Sequence, residues 1–245
     1  MPVSISAITA TRVCLPTLDL AVDSVLRNLK EVHVVVFMPY RVQLTCTLGC
    51  RQKKQVEFRR IKAIHGVELN PQKKYHVNYW YSMFMTDPDM WRSLHTEWVL
   101  VFQADTLVCR PLDMTQYQKY DYVGGITPHI KNFPHPLYLN GGLALHRRKW
   151  TIQCALSTAK KRLNEDAKWN TCARNEVLRH DALSFASDNG HTGCFTHLGH
   201  RICPFGVHKP WTHGSVNLNK ELEANCSGLA SMRYLLYSSA RPKRA

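Results

Sequence analysis

Apolar residues run unbroken through Trp98-Val99-Leu100-Val101-Phe102 and end in a polar tip, Gln103-Ala104-Asp105-Thr106. A run of this kind predicts a strand buried on both faces, as found in the middle of an α/β sheet. Ligands of such sheets bind just beyond the carboxyl ends of the strands, where Asp105 would stand. A lone Asp after a strand more often caps a helix or shapes a turn. A chemical role for Asp105 therefore needs support from other segments.

The rest of the chain carries the same alternation of strand and helix. Val3 to Ala10 reads as a first strand, ending at Thr11-Arg12. Leu18 to Leu29 places apolar residues at 18, 22, 25, 26 and 29, a helical spacing, with Asp19 and Asp23 suited to the dipole of its early turns. Val32 to Phe37 is a second strand stopped by Pro39. Strand, helix, strand implies a parallel pair with a right-handed crossover. Cys46 to Arg60 is basic and poorly periodic, so it reads as a loop or a charged helix face. Tyr75 to Phe84 predicts an aromatic-rich helix, and Pro88 opens a shorter one. Beyond the central run, Tyr120 to Ile126 and Leu143 to His146 read as strands, and Trp150 to Leu163 and Glu176 to Ala186 as helices. The last forty residues read as loop ending in a basic tail, Arg241-Pro242-Lys243-Arg244. No repeat or linker interrupts the pattern, so a single domain is expected over 1–245.

Charge adds a preference for polyanions: 32 Lys and Arg against 18 Asp and Glu leave a net +14. Nucleic acid, an anionic membrane or a phosphorylated small molecule would each suit it. No stretch approaches the roughly 18 apolar residues of a membrane helix, and Met1 to Cys14 lacks the pattern of a secretory signal. The nine cysteines are odd in number, scattered and without a CxxC pair. Buried reduced thiols in a cytoplasmic protein are the expectation.

Three stretches carry chemical potential. Gln103-Ala104-Asp105 ends the buried run. In Tyr138-Leu139-Asn140-Gly141-Gly142-Leu143, paired glycines before a strand allow close approach of the backbone to a ligand, or simply a tight turn. In Pro204-Phe205-Gly206-Val207-His208-Lys209-Pro210-Trp211, His208 offers a metal-ligating imidazole and Lys209 a charge for phosphate. A carboxylate at a strand end with a late His and Lys suits a diphosphate held through Mg²⁺ or Mn²⁺. Lys209 would then neutralise charge on a departing nucleoside diphosphate.

The order FQADT, YDYVGG, NGGLALHRR and PFGVHKPW resembles a poorly characterised group of GT-A-like glycosyltransferases, whose motifs include a QTD-type strand end, YDYIGAPW, GNGGLSLR and PFGxHxxW. The opening ITATR and LDLAVDSVLRNL is similar to that group's first strand and helix, so the resemblance spans about 3–211. It implies an α/β fold with a Rossmann-like, mixed but mostly parallel sheet flanked by helices. The nucleotide-binding half would cover about 1–110, the acceptor and metal half about 111–215, and the basic tail 216–245. It implies transfer of a sugar from a nucleotide-sugar donor to an unidentified acceptor hydroxyl, on a glycan, protein or nucleic acid, with Mn²⁺ or Mg²⁺. Asp105 and His208 match the metal ligands, the latter within a segment similar to that of glycogenin-like enzymes. Thr11, Arg12, Gln103, Asn140, Gly141, Gly142, Arg147, Lys209 and Trp211 match donor- and acceptor-facing positions. Gln103 departs from the first Asp of Asp-x-Asp, which weakens the metal site. The Glu-Asp base of the group finds its nearest counterparts in Glu176 and Asp181, and a base must reach the acceptor hydroxyl.

Two rival readings remain open on the residues. His191, Cys194, His197, His200 and Cys203 recur every third position, and zinc takes such ligands. A zinc module binding nucleic acid or a protein is one alternative, although structural zinc sites usually pair their ligands in short knuckles. A catalytically inactive GT-A-like domain is the other.

Overall fold

The computed structural model describes residues 4–11, 15–39, 49–68, 77–127, 138–161, 163–173, 177, 179–188, 195–197, 200–209 and 216–240. Six strands make the main sheet: β1 (Ile5–Ala10), β2 (His33–Pro39), β3 (Val56–Ile61), β6 (Trp98–Phe102), β8 (Tyr122–Ile126) and β9 (Leu139–Arg147). Two short pairs stand apart from it, β4 (Ala63–Ile64) with β5 (Val67–Glu68), and β11 (Phe195–His197) with β12 (His200–Ile202). A smaller sheet joins β10 (Ala186–Asp188), β13 (Gly206–His208) and β7 (Thr106–Val108) in that order.

The helices are α1 (Pro16–Asn28), α2 (Val77–Met85), α3 (Pro88–Arg92), α4 (Met114–Tyr117), α5 (Arg148–Ser157) and α6 (Glu165–Cys172). They are followed by α7 (Arg179–Phe185), α8 (Val216–Asn225) and α9 (Leu229–Ala240).

The main sheet runs β3-β2-β1-β6-β9-β8. Its first four strands are mutually parallel, while β9 is antiparallel to both β6 and β8. All five residues of β6 are buried, as a strand with neighbours on both edges and helices on both faces requires. After β1 the chain passes outward to β2 and β3, then returns to the other side of β1 as β6. The strand order therefore reverses between β1 and β6, and open α/β sheets form their ligand crevice beyond the carboxyl ends of the strands at such a reversal.

Pattern and structure part company in several places. The basic segment expected as a loop or helix contains β3, an edge strand whose Glu57 and Arg59 pair with each other at 2.6 Å. Charge on an edge strand blunts association with other chains, and it also hides the alternation. The tail expected as loop from 216 onward is helical through α8 and α9. The helix expected over 176–186 narrows to α7, and 186–188 becomes a strand because it pairs in parallel with β13.

The cysteines are not the reduced thiols expected. Cys109 bonds Cys226 across 117 residues, Cys154 bonds Cys172 across 18, and Cys203 is also disulfide-bonded. Only Cys50 is free among the described cysteines, and it is buried. Pairing was hidden because the fold, not sequence spacing, brings these Cα atoms to 4.4 and 5.8 Å. Bridges of this kind form in oxidising compartments, which removes the premise of the cytoplasmic expectation. Among the described residues no helix is long and apolar enough to cross a membrane.

Candidate active site

The carboxyl end of β6 delivers Gln103 and Asp105, and β7 starts immediately afterwards at Thr106. The turn is closed by Thr106 N–H donating to the Gln103 carbonyl at 3.1 Å. Strand β13 runs antiparallel to β7 with His208 opposite Thr106. The imidazole is thereby carried over the polar tip. His208 Nε2 stands 3.1 Å from Gln103 Oε1 and 3.4 Å from Asp105 Oδ1. The next residue, Lys209, donates its backbone N–H to the Asp105 carbonyl at 3.2 Å. Its φ of 46° lies in the left-handed region, uncommon for a residue with a side chain.

These three side chains form an incomplete coordination set. Asp105 Oδ1 is buried, and the 3.4 Å approach of His208 Nε2 falls short of a well-formed hydrogen bond. Burial alone would push the Asp105 carboxyl upward, but the charges of His208 and Lys209 outweigh it and hold it below the usual carboxylate range. As the side chains stand, His208 Nε2 faces two acceptors, the Gln103 amide oxygen and the Asp105 carboxylate. With a cation in place of the Nε2 proton, all three atoms would serve as lone-pair donors. Two oxygens and one nitrogen suit a borderline-hard divalent cation such as Mn²⁺, and Mg²⁺ less well. No group of three His, Cys, Asp or Glu gathers among the described residues, because an amide fills the third place.

The glycine pair in β9 forms the facing wall. Gly142 accepts from the Gln103 N–H at 2.9 Å and from the Thr106 hydroxyl at 3.0 Å through its carbonyl. Its own N–H donates to the Asn140 side chain at 2.7 Å. A methyl group on Gly142 would lie 2.2 Å from His208 Cε1 and Nε2, so only glycine admits the imidazole. Gly141 donates its N–H to Asp166 Oδ1 at 2.8 Å.

Asp166 and its neighbour Glu165 open α6, behind an Asn164 cap whose side chain accepts from Ala167 N–H at 2.8 Å. Glu165 accepts a hydrogen bond from the Ser82 hydroxyl of α2. Burial raises the Glu165 carboxyl above its ordinary value, despite the Ser82 bond and the charge of Lys209. Sequence reasoning missed this pair. Its signal was present as Asn164-Glu165-Asp166, a cap followed by acids in a first turn.

Thr11 joins the same edge: it is buried, directly after β1, and donates its N–H to Phe37 at 3.0 Å. Two other expected site residues are placed elsewhere. Arg147 pairs with Trp98, at the start of β6, four residues of strand or about 13 Å from the Leu143–Phe102 pair. There its guanidinium bonds Asp121 at 3.0 Å and stacks 4.8 Å above the Trp98 ring. It is held by the fold rather than offered to a ligand at Asp105. Asp181 is buried in α7 and engaged by the Tyr120 hydroxyl at 2.5 Å and by Lys119 at 3.0 Å. Arg12, Glu176 and Trp211 lie outside the described residues. The zinc reading loses Cys203 to its disulfide, and His191 and Cys194 lie outside the described residues.

Residues 66–208 match a family described as a protein of unknown function, DUF5672. The chain belongs to this family. As a DUF5672 protein it places the polar cluster from Ser82 to His208 within the matched segment. A comparison with curated proteins finds no match. Solved structures are similar in fold. The galactosyltransferase LgtC, in complex with donor and acceptor sugar analogues, superposes with a TM-score of 0.56 at 13% identity, over 97% of this chain and 98% of that one. An active-site mutant of LgtC gives the same score at 12% identity, with the same coverage. The glycosyltransferase GlyE of Streptococcus pneumoniae TIGR4 gives 0.51 at 13% identity, over 100% of this chain and 66% of that one. The fold is thus of the GT-A type: a mixed α/β architecture whose mostly parallel six-stranded sheet is flanked by helices.

Proposed function

We propose that this DUF5672 protein is a glycosyltransferase that moves a sugar from a nucleotide-sugar donor to an acceptor hydroxyl, in a single domain over 1–245. One observation carries the reading: Gln103 Oε1, Asp105 Oδ1 and His208 Nε2 converge beyond the strand-order reversal of a GT-A-type sheet. That crevice is where sheets of this class receive nucleotides. The surplus of basic residues favours an anionic donor.

Gln103, Asp105 and His208 would hold Mn²⁺ or Mg²⁺, which when bound screens the negative charge of a diphosphate. The chain's own residues supply the rest. Lys209 follows His208 directly and adds a cation to the side where the nucleoside diphosphate departs. Asn140, Gly141 and Gly142 form a backbone wall on which the saccharide end rests. Glu165 and Asp166, rather than Asp181, are the carboxylates that stand against that wall and face the acceptor. A carboxyl raised by burial is better matched to accepting a hydroxyl proton near neutral pH.

The test is binding and turnover with nucleotide sugars in the presence and absence of Mn²⁺. Asp105→Asn and His208→Ala are expected to abolish metal-stimulated turnover while the circular dichroism spectrum stays unchanged. Full activity in both variants would refute the site. Absence of binding to any nucleoside diphosphate by the native protein would favour an inactive GT-A-like domain.

A further inference from the structure

We propose that Tyr81 belongs to the same site, its hydroxyl hydrogen-bonding the transferred saccharide of the nucleotide-sugar donor; this rests on the function proposed above. The hydroxyl oxygen is buried and meets the Gln103 side chain without forming a hydrogen bond of good geometry. A buried hydroxyl so poorly partnered loses its water and receives little in return. Phenylalanine would fill the same volume without that loss.

Position separates Tyr81 from the other unpartnered groups. Trp80 beside it faces the core, stacked on Phe84 with ring centroids 5.8 Å apart. This fixes the rotation of α2. Ser82, on the other side, donates to Glu165 at the start of α6. The Tyr81 hydroxyl comes close to the Gln103 side chain, whose Oε1 meets His208, and lies in the fields of Glu165, Asp166 and Asp105. It is therefore placed between the proposed metal ligands and the acidic turn of α6. A donor whose diphosphate sits on Gln103, Asp105 and His208 must direct its sugar across this gap, toward Gly141 and Asp166. A phenol beside ionised acceptors offers a hydrogen-bond donor that a sugar oxygen can take.

The experiment compares native protein with Tyr81→Phe in the presence of Mn²⁺. The probes are UDP and GDP alone, and UDP-glucose, UDP-galactose, UDP-N-acetylglucosamine and GDP-mannose. The variant should melt at the same temperature or higher. It should bind the matching nucleoside diphosphate with unchanged affinity, and lose tenfold or more in affinity or kcat/KM for the corresponding nucleotide sugar. A lower melting temperature with unchanged kcat/KM would make the hydroxyl a structural group and overturn the inference. An equal loss for nucleoside diphosphate and nucleotide sugar would overturn it too, since the bond would then serve the diphosphate. If native protein binds none of the probes, the proposed function fails and this inference fails with it. That result is distinct from one in which native protein binds and Tyr81→Phe matches it.

Discussion

Gly142 and His208 occupy each other's space: the imidazole stands where a side chain on Gly142 would have to be. A Cβ there would lie 2.2 Å from two ring atoms and 2.5 Å from a third. The aim of His208 at Gln103 and Asp105 therefore depends on a residue of the opposite strand having no side chain.

Gly142→Ala is the sharpest test of that dependence. Overpacking of this kind costs about 1–3 kcal/mol, and relief requires the imidazole to swing away from Asp105. Turnover should fall at least tenfold, with weaker stimulation by Mn²⁺, while Leu143→Ile keeps both. Retained Mn²⁺ stimulation in Gly142→Ala, measured on folded protein, would show that His208 is not a ligand.

Arg147 makes the opposite prediction. Its guanidinium is shared among Asp121, the Gln118 carbonyl and the Trp98 ring, at the end of β6 away from Asp105. A half-exposed ion pair with a cation–π contact is worth about 1 kcal/mol. Arg147→Ala should lower stability by about that much and leave kcat/KM within about twofold. Asp181→Asn should behave alike, with a cost of about 1–3 kcal/mol for a buried hydrogen-bonded carboxylate. Denaturant midpoints paired with kinetics on each variant separate stability from activity.

What was legible in the chain follows from how local each signal is. The β6 run and its Asp105 tip were readable because burial on both faces leaves an unbroken apolar run that stops at a polar end. Asn140, Gly141 and Gly142 were readable as a glycine turn, but not as the wall against His208, since that contact joins residues 66 positions apart in the sequence. Arg147 was misplaced for a related reason. It ends the right strand, yet β9 is antiparallel to β6, so that end points away from the carboxyl end of β6. Glu165 and Asp166 were passed over because Glu176 and Asp181 lay nearer the position that resemblance suggested, although the Asn164 cap marked a helix start. The pairing of cysteines depends wholly on tertiary proximity.

The disulfides carry a prediction of their own. The Cys154–Cys172 bridge ties α5 to α6, the helix that presents Glu165 and Asp166, and Cys109–Cys226 ties the end of β7 to the α8–α9 pair. Loops of 18 and 117 residues closed by a bridge are worth on the order of 3–5 kcal/mol each. Reductant should therefore lower Tm by about 10 °C or more for a chain of this size. Cys50 should resist alkylation in the native protein, because burial, with the Asp19 carboxylate beside it, pushes its thiol up to about 12. Peptide mapping without reduction checks the pairs directly. Alkylation of Cys109 and Cys172 under those conditions would rule the bridges out.

His146 sets the acid limit of the fold. Its ring is buried among Trp91, Tyr122 and Trp169, with centroids 5.0, 4.7 and 5.8 Å away, and its Nδ1 stands 3.3 Å from the Thr151 hydroxyl. Burial pushes its pKa down from 6.5 to about 3. The unfolded chain takes up a proton at this residue as pH falls below about 6.5, whereas the folded chain does not until about 3. The stabilisation is thus whole above about 6.5 and is lost progressively as pH falls toward 3, at up to about 1.4 kcal/mol per pH unit. Between pH 6.5 and 5 few carboxylates titrate, and the raised Glu165 carboxyl acts in the opposite sense. The contribution of the imidazole is therefore read as the difference in slope between native protein and a His146 variant. Native protein should lose about 1–2 kcal/mol across that window, read as a shift of the urea midpoint. His146→Phe keeps a ring of similar size in the aromatic cluster and cannot take up a proton, so its midpoint should stay nearly level over the same range. Parallel slopes for the two proteins would assign the acid sensitivity to another group.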